Sequence, residues 1–356
     1  MTKRIFRQVE LIDRVEEIEF FKEWFEGVPK EILWVYGPKS TGKTTLIEYI
    51  VENELFDDFK LFKSKKYNVK YINFRQKLFG GYESFLNSML FVDDGQLDKD
   101  FVMSLSLGVF KVDYKTHKKI KNKEMDLFDT LFKQFKESPK KNILIIDEIQ
   151  VLEDFYIDKE RELLKEFLNF CVRLTKETHL SHVVILSSNT IFIEKIYNNA
   201  KLKVTSRFKK ISHLPYEIVK EWLSEKGYSN DDIDLIWEYL GGSIAHIQRV
   251  FRDQKEFPTL KEYLDFQAKV AKSEIVMLFL EKKDLHYNHT FKYIAKEIIK
   301  NGYYTFKEED FDKKDVIDFF CEREILFFEP LDNTITANSK IYIKGMELLE
   351  GMKDEI

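Results

Sequence analysis

The 356-residue sequence predicts an α/β fold with a five-stranded parallel sheet, followed by a helical segment and a small C-terminal unit of helices and a hairpin. The prediction rests on five short apolar runs that alternate with stretches of helical spacing, a pattern typical of parallel strands joined by helices. The first four runs are almost continuously apolar, as expected for strands covered on both faces. The five runs are 32–36, 69–74, 143–146, 183–186 and the weaker 209–212.

Length and composition predict a folded chain of three domains. Hydrophobic residues make up 44% of the chain and charged residues 33%, which is typical of globular proteins. At about 150 residues per domain, the length allows two or three domains. Cys171 and Cys321 lie far apart in apolar helical patterns, which excludes a disulfide framework and a cysteine-based metal site.

Hydropathy and charge argue against a membrane protein, a secreted protein and a protein that binds nucleic acid through its overall charge. No apolar run approaches the roughly 20 residues of a membrane helix, and the amino terminus lacks the apolar core of a signal peptide. We therefore expect a cytoplasmic protein with no membrane partner. The net charge of −5 argues against nucleic-acid binding through overall charge.

The predicted domain boundaries follow changes in periodicity. Residues 1–214 contain all five apolar runs and form the predicted core. After Pro215 only helical patterning continues, so residues 215–284 are predicted to form a helical lid. The helical patterns of the lid lie at 217–224, 231–239, 244–251 and 260–280.

The last 72 residues, 285–356, are predicted to form a winged helix. Helical patterns at 291–299 and 316–321 precede strand-like patterns at 325–328 and 335–343. Helices followed by a hairpin are typical of that module.

One irregular segment interrupts the core. Apolar residues alternate on odd positions from 103 to 107 and on even positions from 110 to 114, and the change of phase falls at Gly108. Such a shift is typical of a bulge or tight turn. We interpret the segment as an inserted β-hairpin, at about 100–115, on the edge of the sheet.

The strongest functional motif lies between the first apolar run and the next helical pattern. Its form is Gly-x4-Gly-Lys-Thr, and a strand before it and a helix after it are the context that a phosphate-binding P-loop requires. Backbone N–H groups and the helix amino terminus would bind phosphate, with Lys43 at the β- and γ-phosphates. The alternative is an ordinary glycine-rich turn. The predicted nucleotide-binding residues are Gly37, Pro38, Lys39, Ser40, Thr41, Gly42, Lys43, Thr44 and Thr45.

A P-loop needs a second anchor for Mg²⁺, and the third apolar run ends in Asp147 and Glu148. Ligands of open parallel sheets bind at the carboxyl ends of the strands. We therefore assign Thr44 and Asp147 to the metal, and Glu148 to the general base that polarises the attacking water. The alternative is a polar strand terminus without catalytic function.

The fourth apolar run ends in polar residues, of which Ser188 and Asn189 are candidates for touching the γ-phosphate or orienting water. The alternative is a helix amino-cap before Ile191, and the two interpretations are compatible. The base of the bound nucleotide is predicted to be adenine, because the sequence around Asn122 lacks the guanine-reading Asn-Lys-x-Asp motif. The expected cofactors are ATP or ADP and Mg²⁺.

With these residues, most of the chain resembles the archaeal ATPase family of the signal-transduction (STAND) NTPases, relatives of AAA+ proteins and of origin-recognition initiators. The segment from Asp13 to Ile18 resembles the family's opening motif, which implies that Arg14 helps to form the adenine pocket. The alternative is a charged amphipathic helix. The segment around Arg207 resembles the conserved arginine segment before the lid, which implies a catalytic arginine for its own or a neighbour's nucleotide. The alternative is a surface charge.

The sequence departs from the family pattern in the lid. Family members usually have a proline after the glycine pair, whereas Gly241 and Gly242 are followed by Ser243 and Ile244. A sensor arginine of the initiator type would fall near Ile244 and is missing, although Arg249 lies one turn further on. We therefore expect slow turnover.

Two functions fit these features. The first is a regulatory switch, in which ATP between core and lid sets the position of the winged helix and hydrolysis resets it. The second is a DNA-binding initiator or transcription regulator. The predicted recognition helix between Asp312 and Glu324 is net acidic, which favours a protein partner over DNA. Lysine-rich stretches at 60–70 and 111–123 are the places to look for a nucleic acid or an acidic partner.

Overall fold

The structure is a computed structural model, and it describes residues 2–7, 9–61, 63–74, 82–92, 110–153, 155–157, 162–198 and 202–350. The predicted α/β class is confirmed in its first part, where strands and helices alternate. Strands of this part are β1 (Lys3–Phe6), β2 (Val9–Ile12), β3 (Ile32–Tyr36), β4 (Tyr67–Asn73), β5 (Leu90–Val92), β6 (Phe110–Val112), β7 (Lys141–Asp147), β8 (Ser181–Ser187) and β9 (Ser206–Lys210). Helices of this part are α1 (Val15–Glu26), α2 (Lys43–Ile50), α3 (Tyr82–Met89), α4 (Tyr114–Lys121), α5 (Leu127–Glu137), α6 (Leu163–Val172) and α7 (Thr190–Asn198).

The central sheet has five parallel strands in the order β4-β7-β8-β3-β9. Its register places Asn73 opposite Asp147 and Tyr36 opposite Ser187, so the carboxyl ends of four strands meet at one edge. The fifth strand is β9, which lies three residues earlier than the sequence predicts. Because β9 is an edge strand with exposed and half-buried side chains, it lacks the apolar run that marks the other four.

Alternate residues of the inner strands enter two separate cores. Ile32 and Trp34 pack on one face of the sheet, and Leu33 and Val35 pack on the other. Every residue of β3 is buried. This double burial explains the continuous apolar runs and fixes the sheet between two layers of helices.

From Pro215 onward the chain is helical up to residue 301, in agreement with the predicted lid pattern. The helices are α8 (Tyr216–Glu225), α9 (Asn230–Leu240), α10 (Ile244–Asp253), α11 (Leu260–Lys282) and α12 (Leu285–Asn301). The remaining elements are β10 (Tyr304–Thr305), α13 (Lys314–Glu322), β11 (Leu326–Glu329), β12 (Thr334–Ala337) and α14 (Lys340–Glu350). Within the described ranges, none of the helices is long and apolar enough to cross a membrane.

The C-terminal unit differs in one element from the sequence prediction. Strands β10, β12 and β11 form an antiparallel sheet, but the second predicted strand ends at Ala337 rather than at residue 343. Residues from Lys340 onward form α14, in which Ile341, Gly345 and Met346 are buried, and the four-residue step from Ile341 to Gly345 is a helical rather than a strand spacing.

The predicted inserted hairpin falls largely on residues 93–109, which lie outside the described part of the chain. Its described end, β6, pairs with β5, and this pairing is parallel rather than antiparallel. Tyr114 starts α4 instead of ending a strand, because the Asp113 side chain accepts a hydrogen bond from the Thr116 N–H and caps that helix.

The helical segment after Pro215 approaches the end of the core closely at Gly242. The Leu214 N–H donates to the Gly242 carbonyl at 3.0 Å, and a Cβ atom at position 242 would lie 1.8 Å from the Leu214 oxygen. Only glycine fits this contact between the lid and the end of the core.

We expect Gly242→Ala to destabilise the protein by about 3 kcal/mol, because the two backbones must move apart to admit a methyl group. Thermal unfolding followed by circular dichroism measures the effect. Gly27→Ala is the matched control, since the nearest atom to its added Cβ is a carbonyl oxygen at 3.4 Å. Equal unfolding midpoints for the two variants would contradict the close contact.

Candidate functional site

The predicted phosphate loop lies where β3 ends and α2 begins, at the carboxyl edge of the sheet. It starts at Gly37, whose φ is 146°, and a Cβ atom there would lie 2.1 Å from the Ile211 carbonyl oxygen. The Ile211 N–H donates to the Tyr36 carbonyl at 2.8 Å, so the segment after β9 is fastened to the start of the loop. The loop is thereby packed between the sheet and the segment that leads into the lid.

Lys43 is bent back onto its own loop. Its ammonium donates to the carbonyl oxygens of Gly37 and Pro38, each at 2.8 Å. Burial lowers the pKa of Lys43 to about 8, and the carboxylates of Asp147 and Glu148 oppose that shift. A half-buried cation held by carbonyl oxygens, with carboxylates nearby, is well suited to receive a phosphate.

Thr44 and Asp147 are in direct contact. The Thr44 hydroxyl donates to Asp147 Oδ2 at 2.9 Å, and the Asn73 amide donates to the same oxygen at 3.4 Å. These are oxygen ligands of the kind that Mg²⁺ prefers. Among the described residues no group of three or more His, Cys, Asp or Glu side chains could hold a metal ion. A magnesium ion here would therefore need oxygens from a bound phosphate as well, as it does in many nucleotide sites.

Glu148 follows Asp147 in a left-handed backbone conformation, with φ of 60°. The Gln150 amide donates to Glu148 Oε2 at 2.5 Å. Gln150 was not among the sequence candidates. Its signal was its position two residues after the predicted base, in a four-residue 3₁₀ turn that directly follows the strand end.

The polar residues at the end of β8 have separate roles. Asn189 Oδ1 accepts a hydrogen bond from the Phe192 N–H at 2.9 Å, so the helix-cap interpretation holds for this residue. Ser187 donates to Gln150 Oε1 at 3.4 Å and accepts from the Asn189 N–H at 3.1 Å. Ser188 lies between them and is half-buried. β8 meets the Glu148 segment through the Glu148 N–H, which donates to the Leu186 carbonyl at 3.3 Å, and through Ser187, the first of the three polar residues at the end of the strand.

Arg14 is buried and braces the loop. Its Nη2 donates to the carbonyl oxygens of Thr41 and Ser212, each at 2.8 Å, and its Nη1 pairs with Glu17 at 2.7 Å. The structure therefore brings Arg14 to the phosphate loop, as a support for its backbone. Contact with an adenine ring stays a prediction.

Arg207 is not brought to the loop. Its partner in the register of β9 is Leu33, four residues before Gly37, which is about 13 Å along the strand. Its guanidinium lies over the rings of Trp24 and Phe20, 5.2 and 5.6 Å from their centroids. In this arrangement the Arg207 side chain does not reach the phosphate loop of its own chain, because it lies exposed on an edge strand, well before the carboxyl end of that strand. A catalytic role for Arg207 stays a prediction.

The helical segment after Pro215 covers the loop with an apolar side chain, and an arginine of the same segment lines a cavity beside the loop. A Cβ atom on Gly42 would lie 3.5 Å from Ile244 Cδ1, so an isoleucine covers the position where the sequence lacks a sensor arginine. Arg249 lines a cavity of about 180 Å³ together with Lys39 and Ser40 of the loop. The cavity also includes residues of the C-terminal unit.

The C-terminal unit touches the loop at Lys39. The Lys39 N–H donates to Asn338 Oδ1 at 2.8 Å, and the Lys39 ammonium pairs with Glu324. The Asn338 carbonyl accepts from His213 Nε2 at 2.9 Å, and burial lowers the pKa of His213. These long-range contacts could not be found from sequence, since no local pattern marks them.

A second contact forms beside the first residue of the loop. The Tyr36 hydroxyl donates to Glu329 Oε1 at 2.7 Å, and Lys210 lies 2.5 Å from Glu329 Oε2. Burial and the Glu329 carboxylate raise the pKa of Tyr36, so the phenol stays protonated and remains a donor.

Comparisons with known proteins found a matching family model and similar chains. A model of a domain family, described as an ATPase domain predominantly from Archaea, matches residues 11–250. An uncharacterized ATP-binding protein of Methanocaldococcus jannaschii is 30% identical over 341 residues, covering 92% of this chain and 94% of that protein. An uncharacterized ATP-binding protein of Pyrococcus abyssi is 28% identical over 354 residues, covering 94% of this chain and 97% of that protein. The solved structure of the Aeropyrum pernix ORC2 protein is 11% identical with a TM-score of 0.48, covering 99% of this chain and 96% of that one.

We expect the affinity for ADP, measured without magnesium, to fall above pH 8 by up to tenfold per pH unit. The reason is that phosphate favours the charged form of Lys43, whose pKa of about 8 means that binding at higher pH must take up a proton. Calorimetric titration between pH 7.5 and 9.5, in buffers of different ionisation enthalpy, measures both the affinity and the proton uptake.

Lys43→Arg is the control for this prediction, because a guanidinium stays charged across that range. Its affinity for ADP is expected to be independent of pH. A wild-type affinity that is equally flat would show that Lys43 does not titrate in the free protein.

Proposed function

Since this chain belongs to the family of ATPase domains found predominantly in Archaea, we propose that it is a slow, Mg²⁺-dependent ATPase that works as a nucleotide-controlled switch. One observation carries the proposal. Thr44 and Asp147 are in contact at the loop, Glu148 follows directly, and Asn338 of the C-terminal unit bonds to Lys39 of the same loop.

The nucleotide is ATP, with its phosphates on the loop from Gly37 to Thr44. The backbone N–H groups of the loop and the amino terminus of α2 bind the phosphate oxygens, and the ammonium of Lys43 leaves its two carbonyl partners for them. Thr44 and Asp147 would hold Mg²⁺, which neutralises phosphate charge and orients the γ-phosphoryl group. Both oxygens are already adjacent, which supports this assignment.

Glu148 is the general base. Its carboxylate accepts a proton from a water molecule, the water oxygen bonds to the γ-phosphorus, and the bond from that phosphorus to the β–γ bridging oxygen breaks. The products are ADP and inorganic phosphate. Lys43 stabilises the charge that develops on the departing ADP.

Turnover is slow because the arginines are poorly placed. Arg207 lies on the edge strand about 13 Å before the loop, and Ile244 covers the loop where a sensor arginine would reach it. Arg249 lines the cavity beside Lys39, and it is the lid residue that we propose as a substitute for the missing γ-phosphate sensor. Without an arginine on the transferred phosphoryl group, rates in related phosphoryl transfers fall by about a thousandfold or more.

In the proposed switch, a conformational change passes from the phosphate loop to the C-terminal unit. We assign residues 1–214 to the core, 215–284 to the lid and 285–356 to a winged helix, a division that the helices α12 and α13 and the antiparallel sheet support. Binding of γ-phosphate reshapes the loop around Lys39, and Asn338 and Glu324 transmit that change because both hold Lys39. Hydrolysis restores the first arrangement.

A protein is the favoured partner of the winged helix. Helix α13 packs against the core, where Lys314 pairs with Glu194 at 2.8 Å and Lys195 pairs with Glu322 at 3.3 Å. The one lysine that starts this acidic helix is therefore already paired, which leaves little positive charge for DNA phosphates. DNA binding is the alternative, and a salt-dependent shift of duplex DNA would support it.

We expect Glu148→Gln to lower kcat for Mg²⁺-ATP about 100-fold, since the amide cannot accept the proton from water, while the affinity for ATP is kept. Phosphate release and equilibrium binding of a fluorescent ATP measure the two effects. Glu153→Gln, in the turn that follows, is the control and keeps wild-type rates. Equal rates for wild type and Glu148→Gln would remove Glu148 from the mechanism.

We expect Asn338→Ala to speed the release of ADP about fivefold, because one hydrogen bond of about 1 kcal/mol no longer fastens the C-terminal unit to the loop. Stopped-flow release of a fluorescent ADP measures the rate. Asn333→Ala, at an exposed turn of the same unit, is the control and should release ADP as wild type does. An unchanged rate in Asn338→Ala would show that the contact between Asn338 and Lys39 does not affect the release of ADP.

A further inference from the structure

We infer that Gln150 is a positioning residue for ATP hydrolysis, whose amide holds the carboxylate of Glu148 in the orientation that polarises water. The inference rests on the proposed role of Glu148 as general base. It goes beyond that role by assigning a function to a residue outside both sequence motifs.

The local backbone places Gln150 beside Glu148. The chain leaves β7 and turns at Glu148 with φ of 60°, and the 3₁₀ turn Ile149–Leu152 follows. Ile149 and Leu152 are fully buried and anchor this turn in the core, while Gln150 is only half-buried. The turn is therefore fixed by its apolar side chains, and Gln150 remains on the side of Glu148.

The hydrogen bonds define the orientation of the Gln150 side chain. Its Nε2 donates to Glu148 Oε2 at 2.5 Å, and its Oε1 accepts from the Ser187 hydroxyl at 3.4 Å. An ionised carboxylate can only accept hydrogen bonds, so the NH₂ end of the carboxamide must face Glu148. The bond to Ser187 is long, and the Asn189 carbonyl oxygen is an alternative acceptor for the same hydroxyl at 3.4 Å, so the orientation of the carboxamide rests on the bond to Glu148.

Ser187 is itself fixed. It is buried at the end of β8, opposite Tyr36 in the register, and it accepts from the Asn189 N–H at 3.1 Å. A line of polar contacts thus runs from Asn189 through Ser187 and Gln150 to Glu148. Gln150 joins the ends of β7 and β8, the strands that flank the reaction site.

This arrangement matters because a glutamate side chain has several rotatable bonds. A base works only when it lies within hydrogen-bond reach of the proton it removes, and a donor on one carboxylate oxygen restricts the conformations that satisfy this condition. Supporting residues of this kind commonly change activity by about 10-fold to 100-fold when they are removed. We therefore expect Gln150 to act on kcat and not on nucleotide affinity.

The experiment compares Gln150→Leu, Gln150→Glu and Glu148→Gln with the wild type, and includes the double variant Glu148→Gln with Gln150→Leu. Gln150→Leu removes the donor and keeps a similar volume. Gln150→Glu keeps the shape but places a second carboxylate against Glu148. Gln134→Leu is the control, since it also removes a single glutamine hydrogen bond, from Gln134 to the Lys111 carbonyl.

We expect Gln150→Leu to lower kcat about tenfold and Gln150→Glu to lower it at least as much, with ATP affinity and the unfolding midpoint as in wild type. In the Glu148→Gln background, Gln150→Leu should have no further effect on kcat, because the two side chains act as a unit. Gln134→Leu should keep wild-type kcat.

Two kinds of failure can be told apart. If Glu148→Gln loses activity and Gln150→Leu does not, the positioning role is overturned and the proposed base survives. If Gln150→Leu lowers kcat equally with and without Glu148, the residue acts on another group and the positioning role is again overturned. A wild-type chain without hydrolysis, or one in which Glu148→Gln is fully active, overturns the proposed mechanism together with this inference.

Discussion

The hydrogen bond between Thr44 and Asp147 is the contact on which the rest of the site depends. It joins the first turn of α2 to the end of β7, across two elements that are 103 residues apart in sequence. Its geometry follows from the parallel register, which brings the carboxyl ends of four neighbouring strands to one edge. Because β3, β7 and β8 are buried on both faces, a shift of one residue would move core side chains to the wrong layer. The packing of the sheet therefore holds the site in place.

Support for the phosphate loop comes from outside the sheet. Arg14 reaches it from the amino-terminal segment, Ile244 covers it from the lid, and Asn338 bonds to it from the C-terminal unit. The loop is thus enclosed by three parts of the chain that are distant in sequence. The cavity of about 180 Å³ beside Lys39 and Ser40 leaves room for movement there, whereas movement at Thr41 or Gly42 meets Arg14 or Ile244 directly. This enclosure is why nucleotide state and domain position are linked in the function we propose.

Local patterns predicted the site only where its residues are contiguous. The loop around Lys43 and the pair Asp147 and Glu148 were predictable, because each lies at the end of a buried strand and carries its own motif. Gln150, Asn338 and Glu329 were not, because their contacts depend on the packing of the folded chain. Arg207 was assigned by resemblance, and the structure places it elsewhere because the register of an edge strand leaves little trace in the sequence. The inner strands of the sheet were predicted well because burial on both faces produces a clear apolar run. The start of β9 was misplaced by three residues because an exposed edge strand produces no such run.

Glu329 places a buried negative charge at the junction between the core and the C-terminal unit. This carboxylate is buried, yet its partners are a phenol and the half-exposed ammonium of Lys210. When two such surfaces part, the charges regain hydration, which offsets much of the attraction that is lost. Apolar side chains share the junction, since Phe327 of β11 packs into the core of the sheet and Ile191 of α7 packs into the C-terminal unit. The polar pair therefore fixes which surfaces meet, while the apolar side chains supply most of the free energy that holds them together.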